Sequence, residues 1–342
     1  MLLNSKKVNF LNLPTPLEYL ENLSKDLGVN FYIKRDDLTP FGAGGNKLRK
    51  LEYFLKDAKD KGATMLLTTG GAQTNHGRLT AAVATKFNMK AAIVAVDPYP
   101  GQLSANLLLD SIMDCPVYLV QEDGIHTKAE LAKAAFAKVT EEWEAKGEKV
   151  YFIPTGGSNE VGALGYYECG IELANQIDEL DLEDPRVITT VGSMGTYLGL
   201  KASQVEENLP YSLTGVSIMP YPDGPQSYAL NKYNKLIERY DFKHQLTEKD
   251  FDIKADYDFG AYNNPVKEVR EALYYMARKE AIFLDPCYTG KTFYGILQMI
   301  KKGEIAKGET IIMLHTGGFP GLYTEHHRVE MEKELGDHIH II

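Results

Sequence analysis

Lys47 closes the run Phe41-Gly42-Ala43-Gly44-Gly45-Asn46-Lys47. Its glycines give way at once to a helical pattern, with Leu48, Leu51, Phe54, Leu55 and Ala58 on one face. The lysine is therefore expected at or near a helix N-terminus. That end of a helix carries partial positive charge and disfavours a second cation. An ammonium there is pushed toward the neutral amine, and more so when buried. A neutral lysine amine can form a Schiff base with an aldehyde. A surface lysine opening an amphipathic helix is the competing reading of this loop, because glycine turns before helices are common.

Three more turns follow strand-like runs and open helices: Thr69-Gly70-Gly71-Ala72-Gln73-Thr74-Asn75-His76, Gly192-Ser193-Met194-Gly195-Thr196 and His315-Thr316-Gly317-Gly318-Phe319. In open α/β sheets, ligands gather where strand ends meet helix starts. The turn at 192–196 suits an anion. Its small residues let backbone N–H groups converge, and the following helix adds its dipole. Ser193 and Thr196 bring hydroxyls, so a phosphate could be held without any arginine. The turn is neither the dinucleotide fingerprint nor a P-loop, and a purely structural glycine turn would look alike. The turn at 69–76 brings hydroxyl, amide and imidazole to one helix start, a set able to bind a carboxylate and a ring oxygen. Thr74 or Asn75 as a simple N-cap is compatible with that role. His76 reads as a hydrogen-bonded buried histidine rather than a general base.

Two tyrosines stand apart. Tyr288 lies in Asp285-Pro286-Cys287-Tyr288-Thr289-Gly290-Lys291, and Tyr262 in Gly260-Ala261-Tyr262-Asn263-Asn264-Pro265. Both are expected in turns that open helices and face a cleft. Tyr274 and Tyr275 are expected to pack on a helix.

The elements that must carry these residues alternate. Strands are expected at 29–34, 65–69, 91–96, 117–120, 150–153, 187–191, 213–219 and 311–314. Helices are expected at 76–87, 103–112, 128–144, 160–177, from about 196, and at 265–279 and 291–300. A short helix is expected through Leu17, Leu20 and Leu23, and no regular pattern between Pro220 and about 265. Such alternation means βαβ units and twisted, mostly parallel sheets covered by helices, an α/β protein. Gly44-Gly45 and Gly156-Gly157 are the natural crossover points between two domains.

The net charge of −10 argues against nonspecific binding to nucleic acid or an acidic membrane. Cys115, Cys169 and Cys287 lack metal-ligand spacing, so neither a disulfide framework nor a metal site is expected. Met1–Phe10 shows no apolar run of signal-peptide length, and no stretch is apolar enough to span a membrane. A soluble protein of a reducing, cytoplasmic compartment is the expectation.

Taken in order, Gly-Gly-Asn-Lys, Gln-Thr-Asn-His, Gly-Ser-Met-Gly-Thr, Asp-Pro-Cys-Tyr-Thr-Gly-Lys and His-Thr-Gly-Gly resemble the D-cysteine desulfhydrase and 1-aminocyclopropane-1-carboxylate deaminase family. These are pyridoxal phosphate enzymes of the tryptophan synthase β type (fold type II). The resemblance runs from about Pro14 to Gly318. It implies a large cofactor-binding domain of 1–50 with 157–342, a small domain of 51–156, and a homodimer. It further implies that Lys47 holds pyridoxal 5'-phosphate as a Schiff base and that Asn75 hydrogen-bonds the ring hydroxyl. Gly192, Ser193, Met194, Gly195 and Thr196 would bind the phosphate, and Thr316 would meet the pyridine nitrogen. Tyr262 and Tyr288 would face a small amino-acid substrate beside Thr74, Asn75 and His76. A hydroxyl on the ring nitrogen leaves the ring a weaker electron sink, which favours elimination over transamination.

Two positions depart, one from the family's usual residue and one from the deaminases. Thr74 stands where serine is usual, and its methyl is expected to narrow the pocket. Thr289 stands where the deaminases have glutamate, as in the desulfhydrase branch. The resulting expectation is α,β-elimination, with D-cysteine giving pyruvate, ammonia and hydrogen sulfide. Cyclopropane deamination, racemisation and β-replacement are the alternatives, and a ligand-binding protein without turnover is disfavoured by Lys47 and the two tyrosines. Lys47 is the candidate base for the α-proton. Tyr288 is a second acid or base, its pKa expected to be lowered by Tyr262 or the cofactor.

Overall fold

The computed structural model describes residues 6–342, so the expectation for Met1–Phe10 lies partly outside the described residues. The chain opens with β1 (Leu17–Tyr19), α1 (Glu21–Leu27) and β2 (Asn30–Arg35). The helix expected through Leu17 therefore starts later. The Arg35 N–H donates to the Pro16 carbonyl at 2.9 Å, and this pairing draws Leu17–Tyr19 into an edge strand antiparallel to β2. Next come α2 (Lys47–Asp60), β3 (Met65–Gly70), α3 (Asn75–Lys86), β4 (Lys90–Ala95), α4 (Ala105–Ile112), β5 (Val117–Leu119), α5 (Lys128–Ala145) and β6 (Val150–Ile153). The alternation continues through α6 (Glu160–Glu179), β7 (Arg186–Val191), α7 (Gly195–Glu206), β8 (Ser212–Ser217), α8 (Pro225–Tyr240) and β9 (Asp252–Lys254). The described chain closes with α9 (Lys267–Glu280), α10 (Thr289–Lys302), β10 (Thr310–His315) and α11 (Glu325–Leu335).

Two sheets result. One has the strand order β5-β4-β3-β6, all parallel, and the other β1-β2-β10-β7-β8-β9, parallel except for β1. The larger sheet is apolar on both faces. Along β10, Ile311 and Met313 join one core with Phe31, Ile33, Phe293 and Ile296, while Ile312 and Leu314 join the other with Tyr166, Leu198 and Tyr233. This period of two, buried on both sides, is what helix-covered parallel strands require. The smaller sheet repeats it, with Leu66 against α2 and α3 and with Met65 and Leu67 against α5.

α8, β9 and α11 contradict the expectation of an irregular stretch after Pro220 and extend the chain's order beyond Gly318. Pro225 opens α8 at a position that costs no hydrogen bond. Its buried stripe of Ala229, Tyr233 and Leu236 is thin, with polar residues between. α11 buries only His327, so its periodicity is nearly silent.

α2 carries three buried polar residues, Arg49, Lys50 and Glu52. Arg49 is fully buried and pairs with Asp36 at 2.8 Å and with Glu172 of α6 at 2.9 Å. Burial alone would raise the Asp36 pKa, but Arg49 and Lys34 hold it below the ordinary carboxylate value. Glu52 accepts from the amides of Phe10 and Leu11. This buried network fixes α2, and so the start of α2 where Lys47 sits.

Candidate active site

α2 begins at Lys47, as its sequence context requires. The preceding loop is packed against the turn after β10. The Asn46 N–H donates to the Thr316 carbonyl at 3.0 Å. Gly45 lies at φ 128°, and a Cβ there would stand 3.2 Å from that carbonyl. A Cβ on Gly317 would stand 2.7 Å from Gly45 Cα. The two turns can meet only as glycines. Lys47 keeps some surface open to the cleft, yet its amine is crowded by protein. Burial, and then the nearby Arg78 guanidinium, lower its pKa to about 8, against a smaller opposing pull from Asp285. Lys47 Nζ donates to Asn46 Oδ1 at 2.9 Å, and Asn46 Nδ2 donates to Thr196 Oγ1 at 2.9 Å. One side chain thus joins the lysine to the 192–196 turn.

That turn has Met194 in the left-handed region at φ 72°, and α7 starts at Gly195. The first amides of a helix have no intrahelical partner. The Gly195 N–H donates to Ser158 Oγ at 3.2 Å, and Ser158 Oγ lies 2.7 Å from Ser193 Oγ. Lys50 reaches the same place from α2. A Cβ on Gly195 would lie 2.8 Å from Lys50 Nζ. The Lys50 amine is buried and donates to the Gly156 carbonyl at 3.0 Å, with no carboxylate beside it among the described residues. Burial, then the neighbouring Lys47 and Lys232, push its pKa well down.

The turn before α3 divides its duties. Thr74 Oγ1 caps α3 by accepting from the Gly77 N–H at 3.2 Å. The Thr74 methyl lies against Gly70 and Gly77, where added Cβ atoms would come within 3.1 and 2.4 Å of it. These glycines make room for the methyl, which removes the reason for expecting a narrowed pocket. Gln73 is occupied at the start of α4, accepting from the Asn106 N–H and donating to the Ser104 carbonyl. Asn75 is half-buried, and its Oδ1 accepts from Asn106 Nδ2 at 3.0 Å. His76 is buried, as expected, but both ring nitrogens lack a hydrogen-bond partner among the described residues. Burial, then Lys47 and Lys50, hold it neutral, with its pKa well below the usual imidazole value.

Tyr262 and Tyr288 meet on the opposite side. Asp285 accepts from the amides of Cys287, Tyr288 and Thr289 at 2.8–2.9 Å and from the Thr289 hydroxyl at 2.7 Å. This cradle sets the start of α10 and leaves the Thr289 hydroxyl engaged. The Tyr288 ring edge lies 3.8 Å from where a Cβ on Gly192 would be, so it borders the 192–196 turn. Lys291 donates to the carbonyls of Ile218, Asp258 and Ala261 at 2.7–2.9 Å and so ties the Tyr262 loop to α10. Burial raises both tyrosine pKa values well above the ordinary phenol, a correction to the expected lowering at Tyr288. Thr316 is buried at 8% exposure, and its hydroxyl has no protein partner among the described residues. Tyr274 and Tyr275 lie on α9, with their hydroxyls on Glu334 and Asp26.

Sequence reasoning missed Lys50, Arg78, Asn46, Asn106 and Ser158. Lys50 had a signal, since it stands one turn after Lys47 on the same helix. Asn106 had none, because only the fold brings α4 against the start of α3. Pyridoxal 5'-phosphate fits what is present. Lys50 is a buried amine with no carboxylate beside it among the described residues, next to the start of α7, and a phosphate there would favour its charged form and accept from helix-start amides. Lys47 offers an amine with a depressed pKa close by, where an aldehyde can react.

Comparison with known proteins agrees. The family model described as "Pyridoxal-phosphate dependent enzyme" matches residues 8–317. Two curated relatives, from Pyrococcus abyssi and Thermotoga maritima, are named "Putative 1-aminocyclopropane-1-carboxylate deaminase". The first is 37% identical over 325 residues, covering 95% of this chain and 94% of its own. The second is 37% identical over 322 residues, covering 92% of this chain and 97% of its own. A solved structure titled as an ACC deaminase homologue superposes with a TM-score of 0.82 at 34% identity, over 97% of this chain and 95% of that one. The chain belongs to the pyridoxal phosphate-dependent enzymes of the 1-aminocyclopropane-1-carboxylate deaminase and D-cysteine desulfhydrase type, and pyridoxal 5'-phosphate is its cofactor.

Proposed function

We propose that this protein deaminates a small amino acid at a site built on Lys47, releasing ammonia and a 2-oxo acid. The observation that carries this reading is a lysine of pKa about 8 joined through Asn46 to the anion turn at Thr196. When bound, pyridoxal phosphate supplies an aldehyde for an amino group and a conjugated ring that draws electrons from the adjacent carbon. The turn amides and Lys50 hold its phosphate, Asn75 its ring oxygen and the Thr316 hydroxyl its ring nitrogen. Lys47 Nζ has an appreciable neutral fraction near neutrality and takes the proton at the α-carbon of a substrate such as D-cysteine. The cyclopropane substrate, 1-aminocyclopropane-1-carboxylate, has no hydrogen on that carbon, and there Lys47 would take a proton from a ring methylene instead. Tyr288 Oη stays protonated because it is buried, and it gives a proton to the atom that departs or is left electron-rich.

Two substrates belong to this class. The names of the relatives support 1-aminocyclopropane-1-carboxylate, opened to a four-carbon 2-oxo acid and ammonia, and it is the first substrate to test. One structural observation supports D-cysteine instead. The Thr289 hydroxyl is engaged by Asp285, so no acidic side chain from that position serves the ring nitrogen. Release of 2-oxo acid should be measured over a panel of the cyclopropane, D-cysteine, L-cysteine and other β-substituted amino acids. Turnover of the cyclopropane alone supports the first substrate, and sulfide from D-cysteine the second. A yellow, loaded protein that releases no 2-oxo acid from any of them would overturn the deaminase reading.

We also propose the division into 1–50 with 157–342 and 51–156, and a homodimer. Supporting the dimer, Leu38, Phe283 and Phe319 are exposed around one pocket of about 470 Å³, with Leu108 and Ile112 exposed on the adjoining α4. Light scattering at working concentration tests it, and a monomer mass refutes it.

A further inference from the structure

Asn106 is the second residue of α4 and is buried at 1% exposure. An amide can usually be turned either way, but here the partners decide. Arg78 has only donors, and its Nε meets Asn106 Oδ1 at 2.8 Å. Asn106 Nδ2 therefore donates, to the Gln73 carbonyl at 2.7 Å and to Asn75 Oδ1 at 3.0 Å. Arg78 is itself held in the Lys47 loop, where its Nη2 donates to the Gly44 carbonyl at 3.2 Å. Each side chain in this line has one possible polarity. At its end Asn75 is left with Nδ2 outward, and no protein group engages it among the described residues.

We propose that Asn106, locked by Arg78, is a positioning residue that makes Asn75 present an N–H donor, rather than a carbonyl, to the ring oxygen of pyridoxal phosphate. The proposal rests on the reading of Asn75 given above. Its consequence is electronic. A donor at that oxygen favours the anionic form, and an acceptor there favours the protonated one. The relay therefore keeps the proton affinity of the bound cofactor low.

The test follows the visible absorption of the loaded enzyme against pH, for wild type, Asn75→Ala, Asn106→Leu and the double variant. Lys47 and Lys50 on α2, His76 and Arg78 on α3, Asp110 on α4 beside Arg78 with its pKa raised by burial to about 7, Lys232 on α8, and Tyr262, Asp285 and Tyr288 before α10 are charged or titratable groups that face this region, and these variants leave all of them in place. The spectral midpoint should rise by about one pH unit in each single variant. The double variant should rise no further, because both changes act through one contact. A residue that merely braced α4 would move the thermal midpoint and leave the spectral one alone. If Asn75→Ala shifts and Asn106→Leu does not, the relay is overturned and the reading of Asn75 stands. No shift in Asn75→Ala overturns both, and additive shifts overturn the relay. If Asn106→Leu does not fold, Asn106→Asp keeps the shape and an acceptor for Arg78. Its shift in the Asn75→Ala background isolates the added charge, and a shift of the same size in both backgrounds overturns the relay.

Discussion

The hydroxyls of Tyr262 and Tyr288 are hydrogen-bonded to each other, and their rings meet edge to face at 5.6 Å between centroids. Tyr262 has 43% of its surface exposed, but its hydroxyl end turns inward to Tyr288. Burial is the main influence on both oxygens, and it favours the neutral phenol. The hydrogen bond from Tyr262 lowers the Tyr288 pKa in part, without overcoming burial. Tyr288 is thus an acid at neutral pH before it can be a base. Tyr288→Phe should keep the cofactor and its colour and lose ~100- to 10,000-fold in kcat, the usual worth of a general acid. Steady-state kinetics on the loaded variant checks this. Turnover near wild type would reduce Tyr288 to a packing role.

Lys47 should be the residue that borohydride fixes to the cofactor, seen as a labelled peptide on digestion. In the cofactor-free protein only the neutral amine attacks an aldehyde. With a pKa of about 8, the rate of loading should climb with pH through that value and level off above it. An ordinary lysine would still be gaining at pH ~10. Label on another lysine removes the basis of the site.

Lys50→Met makes a two-sided prediction. A hydrogen bond from a charged group contributes about 1.5–3 kcal/mol, so cofactor affinity should fall by roughly 10- to 100-fold. The cofactor-free variant should melt at the same temperature or higher, because a buried amine whose charged form burial disfavours has been replaced by an apolar side chain of similar length. Titration with pyridoxal phosphate and thermal unfolding measure the two arms. Unchanged affinity would place the phosphate elsewhere.

Thr74→Ser keeps the cap on α3 and removes a methyl packed against Gly70 and Gly77. It should destabilise by about 1 kcal/mol, as losing one buried methyl does, and leave the ranking of substrates unchanged. Kinetics across the substrate panel would reveal a reordered ranking if the methyl does face substrate.

The parallel sheets were legible in the sequence because buried strands read as short apolar runs between helical repeats. β10 is the clearest case, with apolar residues facing both cores. β1 was misread because its partner lies beyond α1 in the chain, and pairing with β2 outweighed the helical spacing of Leu17, Leu20 and Leu23. α8 was missed because tyrosine and asparagine blur its stripe. In the site, the turn residues announced themselves through glycine, and Lys47 through its place after them. Arg78 and Asn106 could not do so. Their importance lies in a hydrogen bond between residues 28 apart in the chain, which only the packing of α4 on α3 creates. Lys50 had only its spacing from Lys47 to point to it, and its burial was not legible, because nothing local says which way a helix is turned.

The place of β10 bears on how the protein is made. It lies between β2 and β7, yet among the described strands it is the last to leave the ribosome. The small sheet is contiguous in the chain from β3 to β6 and can close while synthesis continues. β2 cannot gain its parallel neighbour until residue 315 has emerged, and Asn46 waits 150 residues for Thr196 and longer for the Thr316 carbonyl. Parallel strands so far apart in sequence pair slowly. The lysine proposed to attach the cofactor is thus translated well before the residues that complete its surroundings. A nascent chain stalled before β10 holds the proposed reactive amine without the finished cradle, so cofactor capture would report on chains translated past Thr316.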